Sequence, residues 1–220
     1  FYAGRGIKIK SKVLKNVRIY PLFLLIPLIF GLNGHFSRIE GLILIVSGVI
    51  FYYLIFRNGS KPAKVFSKER KRYKNVFFLL FAMALLLTGS HFTVISATAL
   101  AQALRINPIL IGMFVVSFGT IMPELFYSLK AVKKGDDELA IGDIMGSVLA
   151  DATIVVGIIA LISPFYFPVK IIYVTGIFMV TASVILLKFM HSNRIITKKE
   201  GVVMAVFWLA YVIIELFISK

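Results

Sequence analysis

The chain of 220 residues has no cysteine, one tryptophan and three histidines. Without cysteine there is no disulfide and no thiolate metal site. His35, His91 and His191 are scattered, so an imidazole cluster for zinc or haem is not expected either. Acidic residues are also scarce, ten against 25 lysines and arginines, for a net charge of +15. Charged residues of both signs make up only 16% of the chain, while 59% is hydrophobic and the mean hydropathy is +0.92. That composition excludes an ordinary soluble domain and points to an all-α polytopic membrane protein. The basic excess is then what the loops of such a protein carry, and nucleic acid is not expected as a partner. The chain opens Phe-Tyr-Ala-Gly-Arg without Met, and no charged segment with a cleavage site precedes the first apolar run. The expectation is a piece of a longer protein or a truncated reading frame.

What is present is apolar sequence in runs long enough to cross a bilayer, about 20 residues each. They are placed at 19–34, 40–56, 75–103, 107–130, 139–162, 168–188 and 201–219. The basic residues test these seven spans independently. If loops alternate sides, 21 of the 25 lysines and arginines fall with the N-terminus, and only Arg38, Arg105, Lys170 and Lys220 fall opposite. This asymmetry predicts a cytoplasmic N-terminus and an external C-terminus. The segment 57–74 reads as a solvated basic linker between two bundles.

The chain also carries a faint internal duplication. Ser37-Arg38-Ile39-Glu40-Gly41 and Thr197-Lys198-Lys199-Glu200-Gly201 precede apolar spans at a constant offset, 198 minus 38 being 160. Each pairs a hydroxyl residue with a Glu three positions on, which is helix-capping chemistry. The charge count puts Glu40 outside and Glu200 inside, so the two copies run in opposite senses, as in the inverted repeats of secondary transporters.

Two polar clusters interrupt the apolar sequence, Phe-Gly-Thr-Ile-Met-Pro-Glu at 118–124 and Gly-Asp-Ile-Met-Gly-Ser-Val-Leu-Ala-Asp at 142–151. A charged side chain near a bilayer centre costs about 2.5–3.5 kcal/mol on insertion scales, so it normally faces a bundle interior. No Lys or Arg lies between Arg105 and Lys130 or between Lys134 and Lys170 to neutralise these carboxylates within their own helices. Thr120 and Glu124 share one helix face, and Asp143, Ser147 and Asp151 share another. Pro123 frees the carbonyl of Gly119, and Gly142 and Gly146 are expected to allow close helix packing. Carboxylates, hydroxyls and free carbonyls are the ligands that hard cations such as calcium and sodium take. Asp143, one turn into its helix, either lines the pathway or is an exposed residue favoured by the helix dipole. Glu215, near the outer end of the last span, reads as a solvated or headgroup-facing carboxylate.

Gly119-Thr120-Ile121-Met122-Pro123-Glu124 and the run Gly142 to Asp151 resemble the signatures of the calcium/cation antiporter superfamily, the sodium/calcium exchangers and their prokaryotic relatives. The resemblance covers the chain from about Val13. It implies a fold of two inverted five-helix repeats, of which 1–74 holds the last two helices of the first repeat plus the basic linker. Residues 75–220 are then the complete second repeat. Carried over by position, Glu124 is a shared acidic ligand of calcium and the exchanged ion, and Asp151 takes the acidic position of the second motif. Thr120 and Ser147 supply hydroxyl or carbonyl oxygens, with the carbonyl of Ser117, in an unwound stretch before Gly119, as a further candidate. Ile121 replaces a Ser of the family pattern, Asp143 an Asn and Val148 another Asn. The first change removes a hydroxyl the family uses for sodium, and the second adds negative charge.

The implied function is secondary active exchange of calcium against sodium, or alternatively protons, by alternating access. No cofactor and no covalent chemistry are expected. The partners are the ions, the lipid bilayer of the plasma membrane and the first-repeat helices in cis, whose matching motif falls before Phe1. Two other readings stand beside it: a remnant that no longer transports, and an intramembrane aspartyl protease suggested by Gly142-Asp143. The protease would need a second Asp on a facing helix, whereas Asp151 lies on the same one.

Overall fold

The computed structural model describes residues 5–9, 19–58, 72–105, 111–112, 117–192 and 194–218. In chain order these form β1 (Ile7–Lys8), α1 (Tyr20–Gly31), β2 (His35–Phe36), α2 (Arg38–Asn58) and α3 (Arg72–Leu104). There follow α4 (Ser117–Lys133), α5 (Asp137–Ala150), a π-helical turn (Asp151–Val155) and α6 (Val156–Ile162). The last elements are β3 (Phe165–Tyr166), α7 (Val169–His191), β4 (Ile195–Ile196) and α8 (Lys198–Ile218). Among the described residues, five helices are long and apolar enough to cross a membrane: α2, α3, the 26-residue run α5 to α6, α7 and α8. Helix α1 is shorter, and part of the expected span 107–130 lies outside the described residues. The basic linker 57–74 is outside them from residue 59 to residue 71.

The chain divides into two compact units, one of 1–60 with 123–219 and one of 61–122 with Lys220. In the second unit, α3 leaves nearly every described side chain exposed, and Ala97 and Ala101 bury themselves with Ile111. Its hydroxyl residues satisfy themselves locally, as Thr88 donates to Ala84, Thr93 to Gly89 and Thr98 to Val94. That chemistry suits a helix whose surface meets hydrocarbon.

The first unit holds a core of Tyr20, Leu24, Phe51, Ile141, Met145, Leu149 and Met190, drawn from α1, α2, α5 and α7. Phe36, Leu44 and Ala160 form a second core beneath Phe165 and Phe167. Helix α2 lies against the α5 to α6 run at unusually short range. A Cβ on Gly41 would stand 2.7 Å from the carbonyl oxygen of Gly157, and one on Gly157 would stand 2.6 Å from that of Gly41. A Cβ on Gly48 would meet Thr153 at 2.5 Å. The close packing expected of Gly142 and Gly146 is therefore found elsewhere. A Cβ on Gly142 meets no described atom within 4 Å, and Gly146 meets only Tyr52, at an ordinary 3.6 Å. The signature glycines do not set the helix spacing because α2, distant in sequence, presents its own glycines to the later half of the broken helix.

The duplicated helix starts fold alike. Glu40 accepts from the Ser37 amide and hydroxyl, both at 2.7 Å, while the Glu40 amide donates back to the hydroxyl at 3.3 Å. Glu200 accepts from the Thr197 amide at 2.7 Å and hydroxyl at 2.9 Å, with the same 3.3 Å return bond. Both are capping boxes, and both open 21-residue helices. Each follows a two-residue strand, β2 pairing antiparallel with β3 and β4 with β1.

Segment 5–9 is bound to two turns at once. Through β1 it pairs with β4, and through Arg5 it clasps Asp137 at the start of α5, with contacts of 2.6 and 2.8 Å. The Lys8 amide donates to the same carboxylate at 2.8 Å, so Asp137 is satisfied although only 6% exposed. Hydrogen bonding to Asp137 holds the Arg5 guanidinium pKa above its ordinary value. Helix α4 meets α5 through a tight turn in which Gly135 has φ of 83°, a conformation that favours glycine. The amides of Gly135 and Asp136 bond back to Val132 and Ala131, closing the helix end. This turn makes α4 and α5 neighbours, and those helices carry the two polar clusters.

Candidate cation site

Pro123 lies inside α4, and from it onward the helix belongs to the first unit. Glu124 is half-buried, and its Oε2 is buried with no hydrogen-bond partner among the described residues. A buried carboxylate oxygen left without a partner costs roughly 1–3 kcal/mol or more, which a bound cation would repay. Asp151 opens the π turn with an exposed side chain, and Glu124 lies within electrostatic reach of it. Two carboxylates on different helical elements thus come within electrostatic reach of one another. A π turn inserts an extra residue in the helical ladder and is frequent at functional sites. Among the described residues there is no group of three or more acidic or histidine side chains.

Ser147 is half-buried and its hydroxyl donates to the Ile144 carbonyl at 3.2 Å, which leaves its oxygen lone pairs available. Asp143 is half-buried rather than solvated, and its Oδ2 accepts from Ser128 at 2.9 Å. Ser128 itself is 5% exposed and also reaches the Ala140 carbonyl at 3.4 Å. This bond ties α4 to α5 one turn from Glu124. The signal for this hydroxyl in the sequence is its spacing, which continues that of 120 and 124 by four.

Ser117 and Thr120 lie in the second unit, on the first turn of α4. Thr120 donates to the Ser117 carbonyl at 2.9 Å, and Ser117 to the Gly112 carbonyl at 3.3 Å. The stretch expected to be unwound at Ser117 is helical, because the Thr120 hydroxyl and the turn itself occupy that backbone. Glu215 is fully buried, at 0% exposure, rather than solvated or headgroup-facing as its place in the last span suggested. It lies one turn beyond Tyr211, whose hydroxyl is 3.3 Å from that of Thr175 on α7, on a face that packs inward.

One neighbour of the second cluster comes from far away in sequence. The hydroxyl of Tyr52, on α2, donates to the carbonyl of Gly146 at 2.7 Å, immediately before Ser147. Nothing in the local sequence of α2 signals this contact.

The two clusters fall inside the region, residues 74–217, that matches the family model described as sodium/calcium exchanger protein. The chain belongs to that family. Among its relatives is an uncharacterized membrane protein, MJ0091, of Methanocaldococcus jannaschii, 32% identical over 149 residues. That match covers 66% of the chain and 48% of the relative. The sodium/calcium exchanger MaX1 of Methanosarcina acetivorans is 28% identical, over 66% of the chain and 41% of MaX1. The chain therefore spans about half the length of the curated relatives it matches. A solved structure of the sodium-calcium exchanger NCX_Mj, soaked with sodium and strontium, superposes with a TM-score of 0.67 at 26% identity. It covers 96% of this chain and 67% of its own. Membership agrees with the apolar helices in making the chain an integral membrane protein.

Proposed function

We propose that the chain is part of a secondary active transporter that exchanges calcium against sodium by alternating access around one intramembrane site. The observation that carries this reading is the pair Glu124 and Asp151, set on neighbouring elements with one buried Glu124 oxygen lacking a hydrogen-bond partner among the described residues. The names of MaX1 and NCX_Mj support it. Calcium and sodium are the cargo, and the ligands on this chain are Glu124 and Asp151, with Ser147 and Asp143 beside them. Competing ions need the same carboxylates, and each stabilises those conformations in which the site closes around it, which couples their movement. No bond is made or broken in a substrate.

The paired caps and strands support two inverted repeats, 1–74 ending the first and 75–220 forming the second. Compactness follows contacts and a repeat follows sequence, so these boundaries need not coincide with the compact units. The further helices of the first repeat, in cis, would supply the other ligands. Seven spans then place the N-terminus in the cytoplasm and the C-terminus outside, across the plasma membrane. Exchange against protons is the second reading, favoured by Ile121 where the family carries a hydroxyl.

The test is calcium-45 uptake into vesicles carrying the protein with its complete coding sequence. Glu124→Gln and Asp151→Asn should each lower sodium-gradient-driven uptake to background, and uptake retained in both would reject the site. Uptake that follows a pH gradient and ignores sodium would replace sodium by protons.

A further inference from the structure

Helix α2 holds the interrupted helix on both sides of its π turn, by different means. After the turn the contact is glycine against backbone, Gly41 with Gly157, while within the turn the Thr153 and Ile154 side chains pack against Gly48. Thr153 is fully buried and its hydroxyl is spent on the Leu149 carbonyl at 2.7 Å. Backbone in contact with backbone leaves that arm no room to move toward α2. Before the turn, the polar tie between the two helices is the Tyr52 hydroxyl on the Gly146 carbonyl. Tyr52 is itself set by neighbouring rings, edge-on to Phe51 at 5.8 Å and stacked on Phe56 at 6.3 Å. It also lies within electrostatic reach of Asp151.

We propose that Tyr52 is a positioning residue of the cation site. By holding the Gly146 carbonyl, it fixes the arm from Gly146 to Asp151 against α2 and so sets where Ser147 and Asp151 present their oxygens. The extra residue of the π turn makes this arm the one that can shift independently, since the later arm is held by the glycine contacts. A hydroxyl is suited to the task because it donates one bond without adding charge beside two carboxylates. The proposal rests on the exchange reading for the ligand, but the tie itself can be measured without it.

The experiment uses the full chain in lipid nanodiscs and compares wild type, Tyr52→Phe and Tyr53→Phe, whose ring is 62% exposed. Amide hydrogen exchange across 147–155 should be about fivefold faster in Tyr52→Phe, as expected for the loss of one net hydrogen bond. Exchange across 169–191 should not change, and Tyr53→Phe should match wild type throughout. In equilibrium dialysis with calcium-45, the dissociation constant of Tyr52→Phe should rise by a similar factor, with Glu124→Gln as the variant that loses binding. Unchanged exchange in 147–155 overturns the proposal, and so does faster exchange with unaltered calcium affinity. If the wild type binds no calcium, the exchange reading fails by itself. Hydrogen exchange then decides whether Tyr52 holds the arm, faster rates supporting the tie and equal rates removing it.

Discussion

Ser128 shows how a single hydroxyl can join the two clusters. It is buried, it belongs to α4, and it donates to the Asp143 carboxylate of α5 at 2.9 Å. A hydrogen bond to a charged group contributes about 1.5–3 kcal/mol, and removing the donor leaves a half-buried carboxylate short of one partner. Ser128→Ala should therefore lower the midpoint of thermal unfolding in detergent, by an amount matching about 1.5–3 kcal/mol. Asp143→Asn, whose amide oxygen can still accept the bond, should stay within about 1 kcal/mol of wild type. A larger loss in Asp143→Asn than in Ser128→Ala would show that the charge, not the bond, holds α4 to α5. At this scale the sequence was informative about residue type: Glu124, Asp143, Ser147 and Asp151 were identifiable because carboxylates and hydroxyls in an apolar run are costly. Tyr52 was not, because a tyrosine in an apolar helix is ordinary and its partner is 94 residues away.

At the scale of elements, the contact of α2 with the α5 to α6 run separates two glycines that look alike in sequence. An added methyl at Gly157 would stand 2.6 Å from a backbone oxygen, which neither helix can relieve without moving. Gly157→Ala should destabilise the protein by several kcal/mol or prevent its accumulation in the membrane, an overpacking cost at the upper end of the usual range of about 1–3 kcal/mol. Gly142→Ala, with no described atom within 4 Å, should be neutral or gain up to about 1 kcal/mol from helix propensity. Expression and thermal midpoints of the two variants decide this, and equal tolerance would contradict the helix spacing. The helix starts at Ser37 and Thr197 were legible because capping is local chemistry of four residues. The π turn at Asp151 was not, since no residue type there enforces it, and α2 packs on both sides of it.

For the whole molecule, the positive-inside count makes a prediction that the missing cysteines make easy to check. In a chain without native thiols, Ser163→Cys, between α6 and β3, should react with a membrane-impermeant maleimide added to intact cells. Lys134→Cys, in the α4–α5 turn, should react only after permeabilisation. The reverse pattern would invert the topology, and equal reactivity would break the count of spans. The compact units also cut the chain where the sequence shows no boundary, between Met122 and Pro123 within α4.

Some properties were therefore decided by sequence alone. Composition dictated a membrane protein because 59% apolar residues leave too little polar surface for water. The spacing of hydroxyl and carboxylate residues on α4 and α5 marked out the candidate ligands, because helical periodicity puts every fourth residue on one face. Tertiary structure alone decided which glycines carry the close approach, that Asp143 spends an oxygen on Ser128, that Glu215 is buried, and that Tyr52 reaches Gly146. Each depends on residues far apart in the chain meeting across a helix pair, and short-range pattern holds no record of such meetings.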